Sequence, residues 1–131
     1  MNIHLLIVED EQLIRNQLSK IPWTEIGITS TCFACNAAEA WKLAQSHHPD
    51  ILIADIRMPG ESGLELSKRL ISSLPALKII LLTAYDEFEY AQSAIQIGAF
   101  EYLLKPLEKE SIMAAVHSAI ETIGKERQAL C

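Results

Sequence analysis

Glu9, Asp10 and Glu11 follow the apolar run LLIV (residues 5–8). Three adjacent carboxylates at the end of a buried-looking segment repel one another, and burial makes their charge costly unless a positive partner joins them. Three other apolar runs also end in reactive residues: ILIA (51–54) leads into Asp55, KIILL (78–82) into Thr83-Ala84, and EYLL (101–104) into Lys105-Pro106. Carboxylates gathered at one point bind a hard divalent cation through oxygen, and an incomplete protein shell completed by water is typical of Mg²⁺ sites that also meet phosphate. A lysine and a threonine hydroxyl beside them supply the positive charge and the donor that a transferring phosphoryl group needs. One carboxylate is then able to act as nucleophile and carry an acyl phosphate. No GxxxxGK[ST] loop is present, which speaks against a bound nucleotide. Taken singly, an Asp after a strand is usually a helix cap, a loop Thr a cap and a Lys a solvated charge. The recurrence of all these types at the ends of successive apolar runs is what favours a shared site.

The elements that must position these residues are short. Strands are predicted over 3–8, 29–34, 51–54, 78–82 and 101–104, each an apolar or β-rich run. Between them lie helical stripes: Leu13, Ile14, Leu18 and Ile21; Ala37, Ala40, Trp41 and Ala44; Leu66, Leu70 and Ile71 after Gly63; Phe88, Ala91 and Ile95; and Ile112, Ala115, Val116, Ala119, Ile120 and Ile123. Strict strand–helix alternation implies a parallel sheet covered on both faces, with the more polar second strand at an edge. In such sheets ligands bind beyond the carboxyl ends of the strands, where the strand order reverses. The four reactive run-ends therefore fall along one edge.

The 131 residues suit one domain, and half of them are apolar. No apolar run reaches the roughly 18–20 residues that a bilayer span requires, and no signal-like leader is evident, so a cytoplasmic domain with no membrane association is expected. The net charge is −6 and the eleven Lys and Arg are scattered, leaving no electrostatic footprint for nucleic acid. Contact with DNA would need another segment. Three cysteines suit a reducing compartment, and Cys32 and Cys35 read as two half-buried strand residues rather than a redox or metal pair.

The ordered set IVEDE (7–11), PDILIADIRMPGESGLEL (49–66), LLTAYDEFEYAQSAIQIGAFEYLLKPL (81–107) and the terminal helix resembles the receiver domain of bacterial two-component response regulators over essentially the whole chain. The resemblance implies a flavodoxin-like, doubly wound (βα)5 fold with strand order 2-1-3-4-5. It makes Asp55 the phosphoacceptor and Asp10 the principal Mg²⁺ carboxylate, with Glu9 beside it and Arg57 lending a backbone carbonyl to the metal. Thr83 and Lys105 match the groups that hold the phosphoryl oxygens, the Ala84 amide adds a donor, and Tyr102 matches an aromatic switch that moves inward with Thr83. Lys105-Pro106 matches a cis X-Pro bond. Glu11 is read only as the start of the first helix, where negative charge is favoured.

The function so implied is a phosphorylation-activated switch: Mg²⁺-dependent transfer from a sensor histidine kinase to Asp55, then a changed surface on the fourth helix, fifth strand and fifth helix. It is a regulatory domain, not an enzyme acting on other molecules. A homodimer through that same face is a further expectation. Residues 1–124 are expected to form the receiver and 125–131 the end of the last helix and the start of a linker to an output domain outside the chain. The stretch from Thr83 to Leu107, with Trp23 after "IP", is most similar to receivers joined to an AraC-type helix-turn-helix DNA-binding domain, which makes a transcriptional regulator the expected whole. Tyr85, Phe88 and Tyr90 form an aromatic cluster read either as core and helix lining or as a partner surface. Two rivals remain at this point. A phosphatase with a nucleophilic Asp55 would need a second acid two residues on, where Arg57 stands. A degenerate receiver would be expected to have lost one of Asp10, Asp55, Thr83 or Lys105.

Overall fold

Continuous apolar runs at positions 51–54 and 79–82 have no polar face to offer water, so they form strands covered on both sides. The computed structural model describes residues 1–84 and 88–130, the side chains of 88–91 excepted. Its order is β1 (His4–Val8), α1 (Gln12–Ser19), a 3-10 turn (Trp23–Ile26), β2 (Ser30–Ala34), α2 (Ala37–His47), β3 (Ile51–Asp55), α3 (Gly63–Ser73), β4 (Lys78–Thr83), α4 (Phe88–Gln96), β5 (Glu101–Leu104) and α5 (Lys109–Ala129). The five strands are parallel and lie in the order β2-β1-β3-β4-β5, so the expected doubly wound sheet is present. Strand bounds fall within a residue of those read from the sequence. The order reverses between β1 and β3, which places the ends of these two strands side by side.

Side-chain alternation divides the core into two layers. Leu6, Val8, Leu52, Ala54, Ile79 and Leu81 face α2, α3 and α4 through Ala40, Ala44, Leu66, Leu70 and Ala94. Leu5, Ile7, Ile51, Ile53, Ile80 and Leu82 face α1 and α5 through Leu18, Ile112, Val116, Ala119 and Ile123. Trp23 closes the second layer, its indole N–H donating to the Leu18 carbonyl at 3.0 Å. The α2 stripe and the long α5 stripe face the sheet as expected.

Other expectations are corrected. Leu13 is 83% exposed while Ile14 and Leu18 turn inward; Leu13 lies one residue, about 100° of helix, outside the stripe. In α4 it is Ala94 that is buried, and Ile95 is 78% exposed for the same reason. Cys35 is exposed and lies past the end of β2, where its thiol donates to Glu39 Oε2 at 3.4 Å. Tyr85 lies outside the described residues, as do the side chains of Phe88 and Tyr90.

The edge opposite the strand ends is tied by charge. Asp50 Oδ2 accepts the His4 amide at 2.8 Å, and Asp50 Oδ1 pairs with Arg127 Nη2 at 2.9 Å. Arg127 Nη1 also donates to the Asn2 carbonyl at 2.8 Å, and Lys78 meets Glu126 at 2.8 Å, so the last turns of α5 are held against the sheet. Asp50→Ala leaves a partly buried strand amide without its acceptor and is expected to cost about 2 kcal/mol. Arg127→Ala removes a side chain that is 41% exposed and leaves Asp50 Oδ2 still paired with the His4 amide, and it is expected to cost under about 1 kcal/mol. Urea denaturation of the two variants checks the order; a larger loss for Arg127→Ala would place the main hold at the helix end instead.

Candidate functional site

Because β1, β3, β4 and β5 run parallel, their terminal residues arrive at one edge. Glu9 follows β1, and its amide bonds the Ala34 carbonyl at 3.1 Å, which continues the ladder for one more step. Asp55 and Thr83 are the last residues of β3 and β4, both buried. The Ile56 amide donates to Leu82 O at 2.9 Å and the Lys105 amide to Thr83 O at 2.7 Å, which locks the three strand ends to one another. The Lys105-Pro106 bond is cis, as the resemblance implied.

Lys105 reaches back across the edge. Its Nζ lies 3.1 Å from Asp55 Oδ2 and 3.3 Å from Glu9 Oε2. Glu9 is fully buried, and its Oε1 accepts the Glu11 amide at 3.2 Å. Arg15 Nη1 donates to the Glu9 main-chain carbonyl at 2.8 Å, which steadies the turn into α1. One carboxylate oxygen from each of Glu9, Asp10, Glu11 and Asp55 falls within a group whose members all lie within 4.8 Å of one another. Glu11 thus joins the cluster as well as beginning α1, where it makes no side-chain cap. Its membership was foreshadowed only by its adjacency to Glu9 and Asp10.

One ammonium does not balance this set. Burial, and then the charge of Asp55, push Glu9 up to about 7 against the opposing pull of Lys105 and the Glu11 amide. Asp55 is also raised, by burial, despite its hydrogen bond and attraction to Lys105. Burial alone would lower the lysine, but the Asp55 hydrogen bond and the two carboxylate charges outweigh it and hold Lys105 above its ordinary value. Asp10 Oδ1 and Glu9 Oε2 are buried without a hydrogen-bond partner, Glu9 Oε2 meeting Lys105 only as an ion pair. Buried, unsatisfied carboxylate oxygens in an all-oxygen cluster fit a hard divalent cation.

The remaining expected residues lie around this centre. Arg57 is exposed, at the start of the β3–α3 loop, beside an open cleft of about 640 Å³ lined by Ile56, Arg57, Met58, Pro59, Ser62 and Leu64. Ala84 is exposed immediately after Thr83. Tyr102 pairs in register with Leu81, two residues before Thr83, and packs on the α3/α4 side of the sheet. By strand alternation Thr83 points to that same side. Gly63 was not anticipated as a site residue: a Cβ there would stand 2.1 Å from the Asp55 carbonyl oxygen, a proximity with no signature in the sequence.

A doubly wound parallel sheet that gathers a carboxylate cluster, a threonine and a lysine at the carboxyl ends of its strands defines an α/β domain whose site lies along that edge. Residues 5–117 match the response regulator receiver domain family, and the chain belongs to that family. It is 37% identical over 123 residues to the sensory transduction protein LytT of Enterococcus faecalis, covering 94% of this chain and 50% of LytT. Among solved structures it is similar to the receiver domain of AraT, a response regulator from Geobacillus stearothermophilus, at 35% identity and a TM-score of 0.86 over 97% of this chain and 99% of that one. It is also similar to a two-component transcriptional regulator AraC from Clostridium phytofermentans, at 28% identity and a TM-score of 0.85 over 97% and 98% of the two chains. The chain spans about half the length of LytT. Among the described residues, no helix is long and apolar enough to cross a membrane.

Proposed function

We propose that Asp55 is the phosphoacceptor of this receiver, charged by the phosphohistidine of a sensor histidine kinase, and that the chain switches an attached DNA-binding output domain in the cytoplasm. The observation that carries this reading is Lys105 Nζ at 3.1 Å from Asp55 Oδ2 within a cluster of carboxylates. An Asp55 carboxylate oxygen attacks phosphorus, the P–N bond to the histidine breaks, and the imidazole departs with the bonding electrons. Lys105 exchanges its pairing with the carboxylate for pairing with a phosphoryl oxygen, while the Thr83 hydroxyl and the Ala84 amide donate to the others. Asp10 and Asp55, with Glu9 alongside and the Arg57 carbonyl, would hold Mg²⁺, which supplies neutralisation of the charge shared by carboxylates and phosphoryl group when bound.

The chain's own response follows from charge. A phosphoryl group on Asp55 draws Lys105 away from Glu9 and engages Thr83, and Tyr102, on the same side of the sheet, follows Thr83 inward. The face made by α4, β5 and α5, on which Ile95 and Leu104 are exposed, is where a second copy would dock. In this reading residues 1–124 are the receiver proper and 125–131 lead toward the output domain.

Incubation with acetyl phosphate and Mg²⁺, followed by intact mass measurement, tests the assignment. Wild type gains one acid-resistant, base-labile phosphoryl group and Asp55→Asn gains none. Equal labelling of Asp55→Asn moves the acceptor elsewhere, and an unlabelled wild type, with this donor and with kinase, leaves only a contact-making domain.

A further inference from the structure

The loop that leaves Asp55 is held from outside by an arrangement that the phosphoryl chemistry does not use. Glu61, near its far end, is gripped by both arms of Arg69 on α3, Nε to Oε2 at 2.8 Å and Nη2 to Oε1 at 2.6 Å. The guanidinium carbon of Arg69 stands 4.4 Å from the centroid of the Trp41 ring on α2. One cation is thus shared by the loop, α3 and α2. An ordinary exposed ion pair contributes little, because water screens it and both side chains lose freedom. A two-point fork on a guanidinium that also lies over an indole is different: the planar group is oriented by the ring and then presents its donors in a fixed direction.

The position of this stack in the loop suggests its use. The inner end of the loop is closed by the Gly63 amide on the Ile56 carbonyl at 2.9 Å, and Ser62 caps α3 by accepting the Glu65 amide at 3.2 Å. Arg57 to Gly60 lie between that closure and Glu61, with Gly60 in the left-handed region at φ 81°. The peptide carbonyl of Arg57 therefore sits in a segment whose course is set by its two ends, one at the Asp55 strand and the other at Glu61.

We propose that the Glu61–Arg69–Trp41 stack positions the β3–α3 loop so that the Arg57 carbonyl is already aimed at the divalent cation. Glu61, Arg69 and Trp41 are positioning residues; none touches the reacting atoms. The inference rests on the reading of Asp10, Asp55 and the Arg57 carbonyl as the metal site. Control of that site thereby extends to Trp41 on α2.

Two measurements on the same proteins test it: Mg²⁺ affinity by titration calorimetry, and amide hydrogen exchange of residues 57–61 in metal-free protein. Arg69→Gln is expected to weaken Mg²⁺ binding about tenfold, in the range that outer supports of metal ligands show, and to accelerate loop exchange while leaving exchange in β1, β3 and β4 unchanged. Arg69→Lys keeps the charge without the fork and should fall between Gln and wild type; Trp41→Phe keeps a ring and should stay near wild type. Lys68→Gln is the control, since it removes an equal charge from α3 where Lys68 pairs, among the described residues, with exposed Glu65 at 3.5 Å. Equal weakening by Lys68→Gln and Arg69→Gln would make the effect one of net charge and overturn the proposal. So would unchanged affinity in Arg69→Gln, whether or not the loop exchanges faster. A wild type that binds no Mg²⁺ would overturn the metal reading itself, and the positioning role with it, a result distinct from binding that survives every variant.

Discussion

Gly63→Ala is expected to destabilise the domain by about 3–5 kcal/mol, among the larger effects a single methyl group produces. The added Cβ would stand 2.1 Å from the Asp55 carbonyl oxygen and 3.1 Å from Ile56 Cα. Both neighbours are backbone atoms at the end of a central strand, so neither yields by a rotamer change, and the close-packed layer behind them leaves no room for the strand end to retreat. The clash also falls on the residue whose carboxylate meets Lys105. Any relief moves Asp55 by a sizeable part of an ångström, and the folded fraction should take up phosphoryl groups about a hundredfold more slowly. Gly60→Ala is the comparison that isolates the mechanism. Gly60 has φ 81° but nothing within 4 Å of the Cβ position, so it bears only the left-handed backbone penalty of about 1 kcal/mol. Denaturant melts of the two variants and their labelling rates decide the matter. A loss in Gly63→Ala no larger than that in Gly60→Ala would show that the strand end gives way and that the approach to Asp55 is not what Gly63 protects.

That close approach is also where sequence reading stops. The strand ends were legible because strands buried on both faces have to be apolar, so the first polar residue after IIV-rich runs marks the edge: Asp55 and Thr83 end their strands, and Glu9 and Lys105 follow theirs. The topology then placed all four together without any distance being known. Helix faces were less legible in short elements. A stripe that includes Leu13 with Ile14, or Ile95 in place of Ala94, differs by one residue from the observed one, and in a helix of eight or nine residues there are too few repeats to correct the phase. In α5, with 21 residues, the phase was unambiguous. Cys35 was assigned to β2 because strand propensity says little about where an edge strand ends. The Glu61–Arg69 fork joins residues eight apart across a loop and a helix, a spacing that belongs to no periodic pattern.

Glu9→Gln is expected to make the metal-free domain more stable than wild type at pH 7.5, although it removes one partner of an ion pair. Glu9 is fully buried, and its pKa is raised from 4.5 to about 7, chiefly by burial and then by the charge of Asp55. A carboxyl whose folded pKa exceeds its unfolded value binds its proton more tightly in the folded chain. Its contribution to stability is therefore fully present below pH 4.5 and is lost as pH rises through about 7. The loss corresponds to an effect on the order of 3 kcal/mol. Asp55 is raised too and acts in the same direction. Glutamine keeps the shape without the negative charge; its one oxygen serves either Lys105 or the Glu11 amide, so the variant gives up one of these two contacts, which is worth less than the charge it removes. In EDTA, the difference between the two proteins should be small near pH 4.5 and grow in favour of the variant up to pH 7.5, as urea denaturation across that range will measure. Saturating Mg²⁺ should reverse the order, because a cation recovers more from the site that carries the greater excess of negative charge. A variant less stable than wild type at pH 7.5 without metal would mean that Lys105 alone compensates Glu9, and that the buried Asp10 and Glu9 oxygens that lack hydrogen-bond partners do not reflect a site held ready for a second positive charge. If the expected order holds, the stability lost without metal at pH 7.5 fits the proposed role of the site, in which neutralisation by a cation and a phosphoryl group would act on the strand ends and, through Lys105 and Thr83, on β5 and β4.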